Sequence, residues 1–373
     1  MSDQVKIGIF GAGAIGSAVY DLLRDRTAYS VTVADIRPYS ELHPKAFAEE
    51  HYQQLDTRHP GSNNSMLTMF VADKTLIINA LPYTENVVVY SACLENAIPY
   101  FDFSEDAELN EFIHNIDLNK SLPFTMPHCG LAPGMSTVIA NHLMHDMDTV
   151  NHIKIRVGSL SQDSTNKLKY HLMWSPDGLI NEYSGDCQIV RDGKYYEVPT
   201  LTGYETLMID GDTYEAFNTS GGLGSFAKTI SNAHPYERFQ NVNLTYKTIR
   251  YKGHHNLIDF LMNDLRIPKD ELIEIIKRGV STTRRDLVII YIVVGGIVNG
   301  KQKERCYKKF FYPIRENGRY YTAIESTTAS GLLTMVELFL QGKLKQKGYY
   351  KQEDVALSDA VETTFGSMFI MNR

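Results

Sequence analysis

The stretch "VKIGIFGAGAIGSAVYDLLRD", residues 5–25, decides the fold of the amino-terminal part of the chain. Its first six residues are a short, mainly apolar run of β-type, and apolar residues from Ala14 to Leu23 then recur at helical spacing. A glycine-rich turn lies between the two runs. The stretch therefore predicts a strand, a tight turn and a helix in immediate succession.

The glycines of this turn follow the pattern Gly11-x-Gly13-x-x-Gly16, and each has a separate task in a dinucleotide-binding loop. Gly11 makes the tight turn, Gly13 lets the backbone approach a pyrophosphate, and Gly16 lets helix and strand pack closely. The helix amino terminus, with Ala14 and Ile15, faces the phosphates. The context predicts a nicotinamide dinucleotide site, against the alternative of a glycine turn without a ligand.

An acidic residue closes the next predicted strand, "VTVAD", nineteen residues after Gly16. This residue, Asp35, is placed to accept hydrogen bonds from the adenosine ribose and to repel a 2′-phosphate, which favours NAD over NADP. Ile36 and Arg37 follow it. Arg37 can stack on adenine, lie on the surface or pair with a 2′-phosphate, so NADP stays open as the cofactor.

Strands and helices continue to alternate up to residue 128, which predicts an α/β fold with a doubly wound parallel sheet of six strands. The predicted strands after the first two are "MLTMF", "TLIINALP", "PYFDF" and "LPFTMP", with helices around residues 45–55 and through "ENVVVYSACLENA". "INALP" follows the fourth strand, where such a sheet switches direction, so Asn79, Ala80 and Leu81 are expected at the cofactor. The alternative is a plain exit turn broken by Pro82.

The alternation of predicted strands and helices ends after Cys129. A helix is predicted within residues 132–147, and β-type runs then meet at tight turns, Asp192-Gly193 and Asn299-Gly300. Further helices are expected at 256–265, 269–278 and 326–340. We therefore expect a Rossmann domain at residues 1–128, a second α+β domain with a largely antiparallel sheet at 129–325, and a carboxyl-terminal helical segment at 326–373.

Composition narrows the class of function. The net charge of −7, with Lys+Arg 37 against Asp+Glu 44, argues against a nucleic-acid partner. The four cysteines are far apart without a C-x-x-C pair, which suits reduced thiols and predicts no metal site. No apolar run approaches the ~18 residues of a membrane span. A cytoplasmic enzyme with a small-molecule substrate and no membrane contact is expected.

Two later strand ends supply titratable groups. "PYFDF" delivers Asp102, and "LPFTM" is followed by His128 and Cys129. A dehydrogenase must remove a proton from an amine or hydroxyl as hydride leaves its carbon, so these three are the candidates for acid–base chemistry. Two alternatives stay open: Asp102 as the cap of the following helix, and Cys129 as an inert packing residue.

Seven motifs occur in the order seen in the saccharopine dehydrogenase-like family, and "CGLAPGM" resembles its L-lysine 6-dehydrogenase branch. The resemblance runs over essentially the whole chain. The motifs are "GIFGAGAIG", "INALP", "YFDFSED", "HCGLAPGMS", "EAFNTSGGLG", "KTIRYKGH" and "STTASG".

The resemblance implies a Rossmann domain that holds a nicotinamide cofactor, a second domain whose sheet commonly makes a homodimer contact, and a carboxyl-terminal segment that returns to the first domain. It gives Asp102 and Cys129 acid–base or water-positioning roles. It also places Arg250 beside the substrate, where its fork can hold a carboxylate, with Tyr251 next to it. His128 receives no family role; it either tunes Cys129 and the substrate site or faces solvent.

The glycine cluster "EAFNTSGGLG", residues 215–224, is not expected to bind a second nucleotide. No β-type run is predicted to lead into Gly221, and no ribose-binding acid follows at the right distance. Its family position faces the active-site cleft, which makes Thr219 and Ser220 candidate donors to the substrate. A flexible turn is the alternative.

The resemblance favours an NAD-linked dehydrogenase of a basic amino acid, with hydride transfer followed by hydrolysis of the imine. The preferred reaction is deamination of L-lysine to aminoadipate semialdehyde, which can cyclise. The alternatives are saccharopine cleavage that forms L-glutamate and a carboxyspermidine-type reduction. A cofactor-binding sensor or scaffold without catalysis remains the alternative from another class, because a Rossmann fold does not guarantee chemistry.

Overall fold

The computed structural model describes residues 4–42, 47–58, 62–116, 122–163, 165–233, 237–316 and 318–371. The chain divides into two compact units. The first consists of Met1–Met135 and Thr327–Ile370, and the second of Ser136–Ser326 with Met371–Arg373.

The first unit contains a six-stranded sheet in which all neighbours are parallel, in the order β3-β2-β1-β4-β5-β6. This order, with helices as crossovers, is that of a doubly wound dinucleotide-binding sheet and confirms the predicted fold class. The strands are β1 (Val5–Phe10), β2 (Tyr29–Asp35), β3 (Tyr52–Gln54), β4 (Leu76–Asn79), β5 (Tyr100–Asp102) and β6 (Thr125–Met126), and the helices of this part are α1 (Ala14–Arg24), α2 (Ser62–Ala72), α3 (Asn86–Glu95) and α4 (Ala107–Asn115).

The central strands have no solvent-exposed face. Ile9 and Phe10 of β1, and Ile77 and Ile78 of β4, are successive residues that point to opposite faces, and all four are at most 1% exposed. Full burial of such a side chain contributes roughly 1.5–3 kcal/mol, so helices that cover both faces of the sheet are the favourable arrangement for these apolar runs. The carboxyl ends of β1, β4, β5 and β6 thereby meet at one edge.

Two of the predicted elements in this unit are wrong. Residues 66–70, expected as a strand, lie in α2, because Leu67, Phe70 and Val71 at helical spacing form the buried face while Met66 and Met69 are exposed. The third strand of the sheet is instead β3, within the stretch 45–55 that was expected to be helical. Part of that stretch lies outside the described residues; the remainder has only a 3₁₀ turn before the strand.

The second unit contains an eight-stranded mixed sheet with a main path in the order β10-β11-β12-β7-β13-β14. Antiparallel pairs dominate, as predicted, but β7 and β12 are parallel. The strands of this unit are β7 (Thr149–Ser161), β8 (Asp186–Arg191), β9 (Lys194–Pro199), β10 (Glu205–Ile209), β11 (Asp212–Phe217), β12 (Asn243–Tyr251), β13 (Asp286–Val298), β14 (Lys301–Phe311), β15 (Ile314–Glu316) and β16 (Arg319–Tyr321).

Both predicted hairpins are present in this unit. Asp192-Gly193 joins β8 to β9, and Asn299-Gly300 joins β13 to β14, with positive φ at all four residues. Two-residue hairpin turns of this kind match the twist of the flanking strands. In addition, β11 ends at Phe217, so a strand precedes the second glycine cluster, although none was predicted there.

The four helices predicted after residue 129 are present with small differences at their ends, whereas α6 (Pro176–Glu182), α7 (Phe226–Asn232) and α11 (Leu357–Glu362) were not predicted. The helix expected at 326–340 begins at Ala323, and the one expected at 256–265 changes to a π-helical turn from Phe260. Within the described chain, no helix is long and apolar enough to cross a membrane. The predicted helices are α5 (Met135–Met144), α8 (His254–Asp259) with the π-helical turn after it, α9 (Lys269–Gly279) and α10 (Ala323–Leu340).

The last part of the chain extends the edge of the first sheet. The Thr125 N–H of β6 donates to Gly348 O at 3.0 Å, and the Tyr350 N–H donates to Thr125 O at 2.9 Å. The backbone groups at this edge of β6 are therefore satisfied from within the same unit, and residues shortly after Tyr350 are held close to the end of β6.

Candidate active site

The first glycine loop is shaped as the sequence predicts. Gly11 has φ +98°, and a Cβ atom there would lie 2.7 Å from Ala80 O. A Cβ at Gly16 would lie 1.9 Å from Gly11 O, so the helix can approach the strand only without a side chain. At Gly13 no atom lies within 4 Å of the corresponding position. The loop thus has open space above Gly13, before the amino terminus of α1, with Ala14 and Ile15 in the first turn.

Asp35, at the end of β2, has all its carboxylate oxygens engaged. Oδ2 accepts from the Ala12 N–H at 2.7 Å and from Arg37 Nη2 at 3.0 Å, while Oδ1 accepts from Arg37 N at 3.0 Å and Arg37 Nε at 2.9 Å. Burial acts to raise the pKa of Asp35, but the Arg37 and Ala12 hydrogen bonds outweigh it and hold the pKa below its ordinary value. Asp35 is therefore charged and ties the loop to Arg37, whereas Ile36 is partly exposed.

The "INALP" segment forms the end of β4 and the turn after it. Asn79 is buried; its Nδ2 donates to Asn86 Oδ1 at 2.9 Å and to the Tyr100 hydroxyl at 3.2 Å. Its Oδ1 accepts from the Leu81 N–H at 3.2 Å. The Asn79 side chain therefore shapes the turn, and Ala80 and Leu81 are the partly exposed residues of this segment.

Asp102, at the end of β5, has no exposed surface. Its carboxylate accepts three hydrogen bonds, from the His128 N–H at 2.8 Å, the Tyr100 hydroxyl at 2.9 Å and the Ser104 N–H at 3.2 Å. Burial raises the pKa of Asp102 to about 7, against the lowering effect of these donors. It does not cap α4, because Asp106 is the residue that accepts from the Glu108 N–H.

His128 and Cys129 follow β6 and are both buried. His128 has φ +64°, which is uncommon outside glycine. Its Nε2 lies 3.4 Å from Asn110 Nδ2, and Nδ1 has no hydrogen-bond partner among the described residues. Burial lowers the pKa of His128 to about 4, so the ring is neutral at physiological pH.

The Cys129 thiol donates to Met126 O at 2.9 Å and also contacts the Gln352 amide, which donates to Pro127 O. Burial raises the pKa of Cys129 well above its ordinary value. A neutral, buried thiol is a weak nucleophile. The position is consistent with the packing alternative.

Sequence reasoning missed three members of this buried network: Asn86, Tyr100 and Asp106. Asn86 Nδ2 donates to Ser104 Oγ at 2.8 Å and to Asp106 Oδ2 at 3.1 Å, so it links the ends of β4 and β5. A polar residue at the start of α3, in the connection that follows β4, was the available signal. Such residues meet at the carboxyl edge of a parallel sheet, where ligands bind.

In the second unit, Arg250 lies on β12 and is buried, and its contact with a substrate stays a prediction. The Arg250 guanidinium does not offer an open fork, because its side chain is 2% exposed and its donors are used within the protein. Nε donates to the Tyr183 hydroxyl at 2.8 Å, Nη1 to Ile249 O at 3.1 Å, and Nη2 to Glu182 Oε2 at 3.1 Å. The Tyr183 hydroxyl in turn lies 3.0 Å from His254 Nε2.

The linked residues Arg250, Glu182, Tyr183 and His254 are called the Arg250 cluster below. Thr219 and Ser220 lie near this cluster. The Thr219 hydroxyl is 2.7 Å from the Thr248 hydroxyl, on the same face of β12 as Arg250. Ser220 Oγ donates to Asn181 O at 2.8 Å, and the Ser220 N–H donates to Glu182 O at the same distance. The second glycine cluster is thus fixed to the end of α6.

Tyr251 does not lie with Arg250. Because successive side chains of a strand point to opposite faces, Tyr251 is on the other side of the sheet, stacked on Tyr214 with ring centroids 5.7 Å apart. It lines an open cavity of about 350 Å³ there, together with Phe310 and Tyr312. Tyr251 therefore faces away from Arg250, and its contact with the substrate stays a prediction.

The first unit has the strand order and glycine loop of a Rossmann-type dinucleotide-binding domain, and the second has a mixed-sheet α+β architecture. Residues 7–121 match the family model "Saccharopine dehydrogenase NADP binding domain", and residues 130–368 match "Saccharopine dehydrogenase C-terminal domain". The chain belongs to the saccharopine dehydrogenase family, as its motifs indicated. Members of this family are NAD(P)-dependent oxidoreductases that act on CH–NH donors.

Similar proteins carry related names. Mitochondrial alpha-aminoadipic semialdehyde synthase from Mus musculus is 22% identical over 280 residues, and the Bos taurus protein is 21% identical over 274 residues. These matches cover 69% and 68% of this chain but only 28% and 27% of the relatives. Saccharopine dehydrogenase (L-Glu forming) from Saccharomyces cerevisiae shares the fold, with a TM-score of 0.76 at 16% identity, over 96% of this chain and 97% of that one.

Proposed function

We propose that this protein is an NAD(P)-dependent dehydrogenase that oxidatively deaminates a basic amino acid, most favourably L-lysine to aminoadipate semialdehyde. The observation that carries the proposal is the glycine loop: open space above Gly13, with a close strand–helix contact at Gly16, in a chain of the saccharopine dehydrogenase family. The motif "CGLAPGM" supports lysine over the alternatives. Saccharopine cleavage that forms L-glutamate and a carboxyspermidine-type reduction use the same bond chemistry.

The residues of the first unit fit a nicotinamide dinucleotide. Gly11, Gly13 and the amino terminus of α1 would hold the pyrophosphate, and Asp35 with Arg37 would meet the adenosine ribose. When bound, the nicotinamide supplies a hydride acceptor. The partly exposed Ala80 and Leu81 would line its edge.

The Asp35–Arg37 pair bears on the choice between NAD and NADP. Arg37 neutralises Asp35 through two side-chain hydrogen bonds, which weakens the repulsion of a 2′-phosphate that an isolated Asp35 would exert. We propose that NAD is preferred and that NADP is tolerated. Steady-state kinetics with both cofactors test this, and an Arg37→Ala variant should lose NADP turnover selectively. Equal losses with both cofactors would contradict it.

The buried network supplies proton chemistry. We infer that Asp102 holds a proton near neutral pH, since burial raises its pKa to about 7 despite the lowering effect of the hydrogen bond from the Tyr100 hydroxyl. Its other oxygen fixes the turn that carries His128 and Cys129. Because Asp102 has no exposed surface, the role that we propose is to hold a proton and position this turn, with Cys129 as a neutral neighbour.

In the second unit, we propose that Thr219, Ser220 and the Arg250 cluster bind the amino acid. Support comes from their proximity: Ser220 is bonded to residues Asn181 and Glu182, and Glu182 is bonded to Arg250. A Ser220→Ala variant should raise the KM for the amine without changing that for NAD. An unchanged KM for the amine would remove Ser220 from the site.

A panel assay tests the reaction. Purified protein with NAD or NADP is offered L-lysine, saccharopine, L-ornithine and carboxyspermidine-type substrates, and reduced cofactor is followed by absorbance. We expect turnover with L-lysine. Absence of turnover with the whole panel, together with calorimetric binding of NAD alone, would support a cofactor-binding sensor instead.

We also propose a homodimer in the cytoplasm, with residues 1–128 binding cofactor, 129–325 binding substrate and contacting the partner copy, and 326–373 completing the first domain. One face of the mixed sheet has partly exposed apolar side chains, including Leu207, Tyr291 and Phe310, over a buried cluster. Analytical ultracentrifugation tests the dimer, and Tyr291→Lys should dissociate it. A wild-type monomer at micromolar concentration would contradict the proposal.

A further inference from the structure

Two ion pairs in the second unit have the same arrangement, a buried arginine bonded to a partly exposed glutamate. In the first pair, Arg156 is 3% exposed and bonds Glu205, whose side chain is 28% exposed. In the second pair, Arg250 is 2% exposed and bonds Glu182, whose side chain is also 28% exposed. In each, a strand arginine is buried and its glutamate reaches the surface.

The two pairs differ in what the second carboxylate oxygen binds. Glu205 Oε1 accepts from Arg156, and Glu205 Oε2 accepts from the ammonium group of Lys247 at 2.8 Å. Glu182 Oε2 accepts from Arg250, whereas Oε1 has no donor within the described part of the chain. The nearby Lys269 ammonium group bonds Asn181 Oδ1 instead, at 2.8 Å. The first pair is a completed arginine–carboxylate–ammonium triad, and the second lacks its ammonium.

The glycine cluster bonded to the Glu182 backbone is open at Gly221. The Ser220 N–H is bonded to Glu182 O, and a Cβ at the next residue, Gly221, would meet no atom within 4 Å. Gly221 has φ +76°, so it is held in a conformation that other residues rarely adopt. A small molecule can therefore approach over the backbone of Gly221.

We propose that Glu182 binds a primary ammonium group of the ligand and that Arg250 is its positioning residue. Burial raises the pKa of Glu182, and Arg250 opposes that shift and fixes one oxygen, which leaves the other to accept a charge-assisted hydrogen bond. The inference narrows the proposed function by assigning ammonium recognition to this point, and it rests on that function only for the identity of the ligand as a basic amino acid. Because each of the three Arg250 nitrogens already donates to an acceptor in the protein, we do not assign carboxylate recognition to Arg250.

Calorimetric titration of the full-length protein with two simple probes tests this. Cadaverine carries two primary ammonium groups, and glutarate carries two carboxylates on a chain of the same number of carbon atoms. We expect cadaverine to bind and glutarate not to bind. Glu182→Gln should weaken cadaverine at least tenfold, while the control Glu274→Gln, an exposed carboxylate on α9, should leave it unchanged.

Several results would overturn the inference: no cadaverine binding to the wild type, glutarate binding as tightly as cadaverine, or unchanged cadaverine affinity in Glu182→Gln. If that variant fails to fold because Arg250 loses its partner, Glu182→Asp tests the ammonium site instead. It keeps the charge on a shorter side chain and should weaken cadaverine several-fold, and an unchanged affinity contradicts the role.

Cadaverine titration and the cofactor-reduction assay together distinguish failure of the ammonium site from failure of the proposed dehydrogenase reaction. If no amine in the panel yields reduced cofactor but cadaverine binds through Glu182, the proposed dehydrogenase activity fails and the ammonium site stands. If L-lysine is oxidised equally by wild type and Glu182→Gln with unchanged KM, the activity stands and the ammonium site fails.

Discussion

Gly13 and Gly16 lie in the same loop, yet a methyl group added to each meets different surroundings. At Gly16 it would lie 1.9 Å from Gly11 O, so Gly16→Ala must separate helix from strand; we expect a loss of roughly 1–3 kcal/mol or more of stability and loss of cofactor binding. At Gly13 it meets no atom, so Gly13→Ala should keep the wild-type melting temperature but weaken NAD binding.

Thermal unfolding and NAD titration of both variants measure this difference. Asp25→Asn, an exposed residue at the carboxyl-terminal cap of α1 and away from the loop, serves as the control for general effects on the helix. If Gly13→Ala binds NAD as tightly as the wild type, the open space above Gly13 is not the pyrophosphate position.

Asp102 gives a pH-dependent prediction. Its pKa is raised to about 7, so between pH 4 and pH 7 the folded protein holds a proton that the unfolded chain has released. Stability therefore falls as pH rises through this window, by up to roughly 1.4 kcal/mol per pH unit, and Asp102→Asn should remove that contribution. Relative to Asp102→Asn, the wild type should lose stability between pH 5 and pH 7.

Denaturant titrations at the two pH values provide the measurement. Asp73→Asn is the control, because hydrogen bonds from Lys6 and Lys74 hold the pKa of Asp73 below its ordinary value, outside the window. A wild-type to Asp102→Asn difference that is the same at both pH values would show that Asp102 does not titrate there.

Single residues were predictable from sequence where the backbone itself imposes the residue type. Gly11 and Gly16 follow from the pattern because a side chain would collide there. The role of Arg250 did not follow, because its partners Tyr183 and Glu182 are 67 and 68 residues away along the chain. A motif shows that a cation is present but not which acceptors already satisfy it.

At the scale of elements, α10 begins with a reciprocal cap. Thr322 Oγ1 accepts from the Glu325 N–H at 3.2 Å, and Glu325 Oε2 accepts from the Thr322 N–H at 2.9 Å. Asp286 also accepts from the Ala323 and Ile324 N–H groups. Thr322→Ala removes one acceptor and should cost about 1 kcal/mol of unfolding free energy.

Chemical denaturation of Thr322→Ala against Thr364→Ala, an exposed threonine in a loop, measures the contribution of the cap. Equal stability of the two variants would mean that the neighbouring Asp286 satisfies the start of α10 alone.

The type of a secondary-structure element could be predicted where characteristic turn residues bound it. It stayed ambiguous where an apolar run was the only signal. Asp192-Gly193 and Asn299-Gly300 identified their hairpins because few residues adopt positive φ. The run at 66–70 predicts a strand only because five apolar or small residues fit both the strand and the helix period. Extending the window to Val71 reveals the helical spacing of the buried residues.

At the scale of the whole molecule, the path of the chain was available only through family resemblance. Residues 327–370 belong to the first unit although the second unit precedes them in sequence. Local patterns can mark α10 and its end, but the pairing of Thr125 with Gly348 and Tyr350 joins residues over 200 positions apart. No local period encodes such a contact.

The returning segment gives the final prediction. Phe369, near the end of the chain, is completely buried, whereas its neighbour Ile370 is 49% exposed. Phe369→Ala should cost about 3–5 kcal/mol and, because the segment belongs to the first unit, should weaken NAD binding. Cadaverine binding in the second unit should persist, and Ile370→Ala should leave both unchanged. Calorimetric unfolding with the two titrations tests this; loss of cadaverine binding with NAD binding intact would mean that Phe369 stabilises the second unit instead.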